Sequence, residues 1–194
     1  MRTLPMKLVF AAVVVAGFTG AAYAQVMSTG DQTLMSFSGE AGEPRWVAVN
    51  DGVMGGLSQG GPRAADGQLA FTGTLSLRNN GGFSSIRTTG RSFDLRDRKV
   101  MILRVKGDGR TYQLRLATDA TVGGSSVSYG ADFPTMAGQW TEAHIAFDTL
   151  VPTFRGEPLS GPPLDLSKVE EIGILIGDKR EGAFSLTVDW IRVR

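Results

Sequence analysis

Few residues of this chain are equipped for acid–base or covalent chemistry. His144 is the only histidine and there is no cysteine, so a multi-histidine metal centre, a thiol nucleophile and a zinc–thiolate site are all excluded. A Ser-His-Asp arrangement would have to use His144, which reads instead as an ordinary strand residue. Glu142, Asp178 and Glu181 are the carboxylates that could act as an acid and base pair, but glycosidase chemistry depends on a carboxyl separation that sequence spacing does not fix. Asp178-Lys-Arg-Glu181 reads more simply as the charged tip of a hairpin. There is no Asp-x-Asp-x-Asp ladder of the calcium-loop kind. No catalytic residue, metal ligand or cofactor is assigned, and a hydrolase using Glu142 or Asp178 is the weakest reading.

Binding residues are better represented. Trp46-Val-Ala-Val-Asn-Asp-Gly-Val-Met-Gly-Gly-Leu-Ser-Gln-Gly-Gly61 looks like one long connection with five glycines. A phosphate cradle would need a strand before it and an amphipathic helix after it, and no helical pattern follows Gly61. Asn50-Asp51-Gly52 suits a tight turn, with Val53, Met54 and Leu57 expected to tuck into a core. Asn50, Asp51, Asn79, Asn80 and Arg87 are the candidate polar rim of a binding site. The competing reading makes Asn79-Asn80-Gly81-Gly82 a hairpin turn and leaves Asn50 and Asp51 capping their own backbone. Trp46, Phe83 and Trp140 are candidates for stacking on a ligand, with core packing as the alternative for at least two of them. Trp140, Glu142 and His144 share a strand face opposite Ala143, Ile145 and Phe147, expected to be the concave one.

These side chains must be positioned by strands. Gln68 to Arg78 places Leu69, Phe71, Leu75 and Leu77 on one face. Thr111 to Ala117 sets Tyr112, Leu114 and Leu116 against Gln113 and Arg115. Val100 to Val105 is apolar at nearly every position, as in a strand covered on both faces. Val127, Tyr129, Ala131 and Phe133 alternate, as do Ala143, Ile145 and Phe147, then Ile172, Ile174 and Ile176, and finally Phe184, Leu186, Val188 and Trp190. Nine or ten strands with no helical stripe predict an all-β sandwich or barrel. Pro152 to Pro163 is read as an ordered crossing loop.

The first 24 residues have the composition of an export signal. Arg2 and Lys7 precede an apolar run of 11 residues, Leu8 to Phe18, and Ala22-Tyr23-Ala24 is a small-x-small cleavage site. A run of that length is short for a membrane span, which takes roughly 20 residues. The expectation is a signal peptide over 1–24, one domain over 25–194, a periplasmic or secreted location, and no stable membrane insertion. Taking Arg2 and Lys7 from 20 basic residues leaves 18 against 19 acidic ones, a net charge of −1. That balance lacks the basic footprint of a nucleic-acid binder. Without disulfides, stability must come from core packing and main-chain pairing.

Trp46 to Ser58 resembles the signature of the CIA30 family, the domain of complex I intermediate-associated protein 30. The similarity continues through Phe71-Thr-Gly-Thr-Leu-Ser-Leu-Arg-Asn-Asn-Gly-Gly-Phe-Ser-Ser-Ile-Arg87, Ile172 to Phe184, and Val188-Asp-Trp-Ile191. The resemblance implies a galactose-binding-domain-like jelly-roll β-sandwich, known as an assembly-factor module in mitochondria. The mitochondrial relatives act in the matrix, whereas this chain begins with an export-type leader. The function expected is a non-enzymatic exported module that binds a protein partner and helps to assemble or stabilise it; a carbohydrate-binding module is the alternative.

Overall fold

The computed structural model describes residues 30–194 apart from Glu40 and Arg155. The export-signal expectation for residues 1–24 lies outside the described residues. Thirteen strands and four short 3-10 turns are present there, and no α-helix.

In chain order the strands are β1 (Gln32–Met35), β2 (Arg45–Asn50), β3 (Gln59–Ala65), β4 (Gln68–Leu75), β5 (Ser84–Thr89) and β6 (Val100–Lys106). They continue as β7 (Thr111–Val122), β8 (Ser125–Pro134), β9 (Trp140–Ala146), β10 (Val151–Phe154), β11 (Glu157–Pro158), β12 (Glu171–Ile176) and β13 (Gly182–Val193). One sheet runs β3-β4-β13-β6-β9, with β1 also paired to β13. The other runs β11-β10-β8-β7-β12-β5-β2. All these strand pairings are antiparallel.

The expected alternation produces the core. Leu69, Phe71, Leu103, Val105, Leu186 and Val188 from the six-stranded sheet meet Ile86, Leu114, Leu116, Val127, Ile172 and Ile174 from the seven-stranded sheet, all fully buried. Each such side chain contributes about 1.5–3 kcal/mol relative to exposure. Across the layers, Phe71 meets Tyr112 edge-on at a centroid distance of 6.4 Å. The sandwich architecture expected from the strand pattern is the one observed.

Four local expectations differ. Leu77 does not continue the inward row of Leu69, Phe71 and Leu75, because β4 ends at Leu75 and Leu77 is exposed. Trp190 does not continue the inward row of Phe184, Leu186 and Val188, because a bulge at Asp189 shifts the register. After that extra residue the parity reverses, so Ile191 and Val193 enter the core and Trp190 turns outward under Arg192, whose guanidinium lies 4.0 Å from its ring centroid. The stretch from Trp46 to Gly61 is not one connection: it holds most of β2, a 3-10 turn at Asp51–Met54 and the start of β3. β3 escapes sequence reading because Gln-Gly-Gly-Pro-Arg-Ala-Ala has no β-branched or aromatic residue, and its Pro62 is tolerated on an edge strand. Within the predicted proline loop lie β10, which carries Pro152, and β11.

Candidate functional site

The outer face of the seven-stranded sheet carries a cleft of about 550 Å³. Strand register builds its floor. Val47, Arg87, Gly173, Arg115 and Gly130 lie side by side across β2, β5, β12, β7 and β8. The next row holds Val49, Ser85, Leu175 and Gln113. A third holds Glu171, Ala117, Ser128 and Thr153. These are the polar-face positions of strands whose other face is core, which is why arginines stand on a sheet that is otherwise apolar.

Among the described residues, the charged groups lining the cleft are Arg87, Arg115 and Glu171. Arg87 Nη1 donates to Glu171 Oε2 at 3.1 Å. Arg115 is held by hydroxyls instead: Nε donates to Ser128 Oγ and Nη2 to Thr153 Oγ1, both at 2.9 Å. Burial, and then the neighbouring Arg87 charge, work against its cation. Gly173 sits between the two arginines. A β-carbon there would lie 3.7 Å from both arginine β-carbons and 3.2 Å from the Ile86 carbonyl oxygen, so the missing side chain opens the floor.

One wall is made by the loops after β2 and before β5, which place Val53, Met54, Gly82 and Phe83 against the cleft. Asp51 holds the two loops together. It is fully buried, and its carboxylate accepts from the Ser58 amide at 2.9 Å, the Gly82 amide at 2.7 Å and the Phe83 amide at 3.3 Å. Burial pushes its pKa upward, but the hydrogen bonds from Ser58, Gly82 and Phe83 outweigh this and hold it below the usual aspartate range. Gly56 and Gly81 are needed for the fit: a β-carbon at either would come within 2.3 Å and 2.6 Å of the Asp51 side chain.

The residues proposed as a polar rim therefore separate. Asp51 is interior. Asn50 Nδ2 donates to the Gly60 carbonyl at 3.0 Å and its Oδ1 accepts from Ser84 Oγ at 2.6 Å. Asn79 and Asn80 both have positive φ in an exposed turn, and Asn79 Nδ2 reaches the Gly55 carbonyl at 3.3 Å. Asn50, Asp51 and Asn79 thus bind main-chain groups of other segments instead of capping their own turns, while Arg87 lies in the cleft floor. Val53, Met54 and Leu57, expected inside, are 75%, 58% and 44% exposed. The Asp51 clamp turns this 3-10 segment outward.

Trp46 is half-buried against the core and meets Phe37 at 6.3 Å. Trp140 lies on β9, the edge of the other sheet, with Arg104 and Lys106 5.4 Å and 5.2 Å from its ring centroid. His144 and Glu142 are on that same face, 3.3 Å apart and exposed. The face expected to be the concave one is thus not the face with the cleft, because β9 pairs with β6 and belongs to the six-stranded sheet.

The remaining carboxylates have structural duties. Asp178 makes a two-pronged ion pair with buried Arg110, at 3.0 Å to Nε and 2.5 Å to Nη2. Burial raises the Asp178 pKa, and the Arg110 hydrogen bonds and charge more than reverse this. Glu181 accepts from the Leu77 amide at 2.9 Å. The order Gly56-Leu-Ser58-Gln-Gly60 has the Gly-x-Ser-x-Gly spacing of a nucleophile elbow. Ser58 is nonetheless buried, bonded to both main-chain groups of Ser76, and followed by a strand instead of a helix. Among the described residues no group of three or more His, Asp and Glu is placed to hold a metal. Arg115 is the site residue that sequence reasoning placed on a polar strand face without singling it out; only cross-strand register brings it beside Arg87.

Comparison with known proteins agrees with this architecture. A family 11 carbohydrate-binding module from Clostridium thermocellum, solved with a β-1,3-1,4-mixed-linked tetrasaccharide, superposes with a TM-score of 0.63 at 16% identity, covering 84% of this chain and 95% of that one. The agarase AgWH50C contains a region that superposes with a TM-score of 0.55 at 12% identity, over 84% of this chain and 24% of the enzyme. Such identities speak to the fold alone. In sequence, an uncharacterised protein of Schizosaccharomyces pombe is 31% identical over 170 residues, 77% of this chain and 78% of that one. The mitochondrial complex I intermediate-associated protein 30 of Mus musculus is 27% identical over 170 residues, and the chain spans about half of its length (52%). Residues 35–188, from the end of β1 into β13, match the model of that family, and the chain belongs to the complex I intermediate-associated protein 30 (CIA30) family.

Proposed function

We propose that this protein is a non-enzymatic binding module that takes a segment of a protein partner into the cleft of its seven-stranded sheet. The observation that carries the reading is the cleft's wall. Val53 and Met54 are large apolar side chains held out in solvent by the Asp51 clamp, above a floor of arginine, glutamine and hydroxyl groups. An apolar rim beside oriented hydrogen-bonding groups suits a peptide. The family adds its weight, since the mouse relative is named as an intermediate-associated protein of complex I. The partner is placed in the envelope or medium, because the first 24 residues have the composition of an export signal.

A glycan is the second reading, supported by the likeness to a module solved with a tetrasaccharide. Its weakness is chemical: Trp140, the exposed tryptophan suited to sugar stacking, is on the other sheet. Capture from envelope extract separates the two. The purified protein should enrich envelope proteins that the Val53→Ser/Met54→Ser variant does not. Equal enrichment by both, or retention of soluble glycans alone, would contradict the protein-partner reading.

A further inference from the structure

The cleft floor carries a cation without an acid. Arg115 has two hydroxyl partners and no ion pair among the described residues. Its remaining guanidinium nitrogen, Nη1, has no hydrogen-bond partner there, and among the described residues no buried side-chain nitrogen or oxygen is left unsatisfied. Nη1 therefore faces the solvent of the cleft. Arginine cannot shed its charge to escape this desolvation.

The surroundings are arranged to leave that group approachable. Gly173 on one side and Gly130 on the other offer no side chain of their own beside it. The Gln113 side chain lies over Gly130, so the open side is the one toward Gly173 and Arg87. Arg87 is paired with Glu171, and among the described residues the lining holds two positive charges against one negative. An incoming group over Gly173 would meet Arg115 in front and Arg87 beside it. Two oxygens on a planar carbon match a guanidinium edge.

We infer that the floor at Arg115 and Gly173 receives a carboxylate, supplied by an acidic side chain of a bound peptide whose apolar neighbours lie against Val53 and Met54. This rests on the reading of the cleft as the site of a protein partner and names the chemistry that reading requires. A peptide is favoured over an acidic sugar because the apolar wall would be wasted on a uronate, and the aromatic ring found against the cleft among the described residues, Phe83, is partly buried in the wall and not in the floor.

The test uses the acetylated, amidated pentapeptide Leu-Val-Glu-Val-Leu and its counterpart with Gln at the centre. Binding to the purified protein is read from the ¹⁵Nε resonance of Arg115 and from amides of β5, β7 and β12. The Glu peptide should shift Arg115 and bind about tenfold more tightly than the Gln peptide, as a charge-assisted pair does. That preference should vanish in Arg115→Met. It should also fall in Gly173→Ala, which keeps the arginine but fills the floor, so the result does not hang on one variant's folding. Equal binding of both peptides, lost in Val53→Ser/Met54→Ser, would overturn the carboxylate inference while leaving the cleft as the peptide site. A shift of Arg115 by trigalacturonate with none by either peptide would overturn the peptide as its source. No shift with any of the three would overturn the inference altogether.

Discussion

Asp51, in the turn after edge strand β2, and Arg115, on β7 of the same sheet, are two charged residues with opposite fates. Asp51 spends both oxygens on three backbone amides and is sealed from solvent. Arg115 is tethered by two hydroxyls and keeps a nitrogen toward an open cleft. The first fixes a loop so that Val53 and Met54 stand outward; the second offers charge to whatever enters beneath them. A polar residue in a family block is thus as apt to build the site's wall as to touch its ligand. The distinction is made by counting hydrogen-bond partners, not by residue type.

Removing the clamp should have the largest effect. Asp51→Ala leaves three amides unpaired and should cost about 3 kcal/mol or more, read as a Tm drop of roughly 6–12 °C by calorimetry. A Tm within 2 °C of the parent would contradict the interior role, the same order of change being expected for a surface residue. Gly56→Ala drives a methyl into the Asp51 carboxylate and should cost about 1–3 kcal/mol; chemical denaturation would measure it.

Acid should act on stability through the clamp and the Arg110–Asp178 pair. Asp51 and Asp178 are held below the ordinary aspartate value of about 3.9. The unfolded chain therefore takes up protons first as pH falls. Their stabilisation is complete above about pH 5 and is lost as pH drops through 4 toward the folded-state values. Stability measured from pH 6 to pH 2 should fall in that window, and Asp51→Asn should flatten part of the slope. An unchanged slope would show that the Asp51 carboxylate is not held low.

Changes in the cleft should move stability least. Arg115→Met trades two hydroxyl hydrogen bonds for apolar contact on a half-exposed face and should cost under about 1.5 kcal/mol. Val53→Ser, at 75% exposure, should stay within about 0.5 kcal/mol. A large loss at either position would collapse the contrast between wall and ligand surface.

Legibility in the sequence followed the same divide. Alternation of Tyr112, Leu114 and Leu116 against Gln113 and Arg115 is a one-strand property, and it placed those side chains correctly. The bulge at Asp189 is invisible to alternation, which by itself puts Trp190 on the wrong face. β3 was hidden because its pairing with β4 needs no β-forming side chains when glycine and alanine suffice. The meeting of Arg87, Gly173 and Arg115 depends on β5, β12 and β7 lying adjacent, and these strands are separated by long stretches of chain. No local pattern carries that information. That Trp140 stands on the sheet without the cleft is hidden for the same reason, since nothing within β9 says which sheet it joins.

The central claim is that the seven-stranded sheet, and not the Trp140 face, meets the partner. The most direct measurement places p-benzoylphenylalanine at Gln113 in the cleft or at His144 on the opposite sheet, and irradiates cells expressing the full chain. The account predicts discrete protein adducts from position 113 and none from position 144. Adducts from position 144 alone would contradict it.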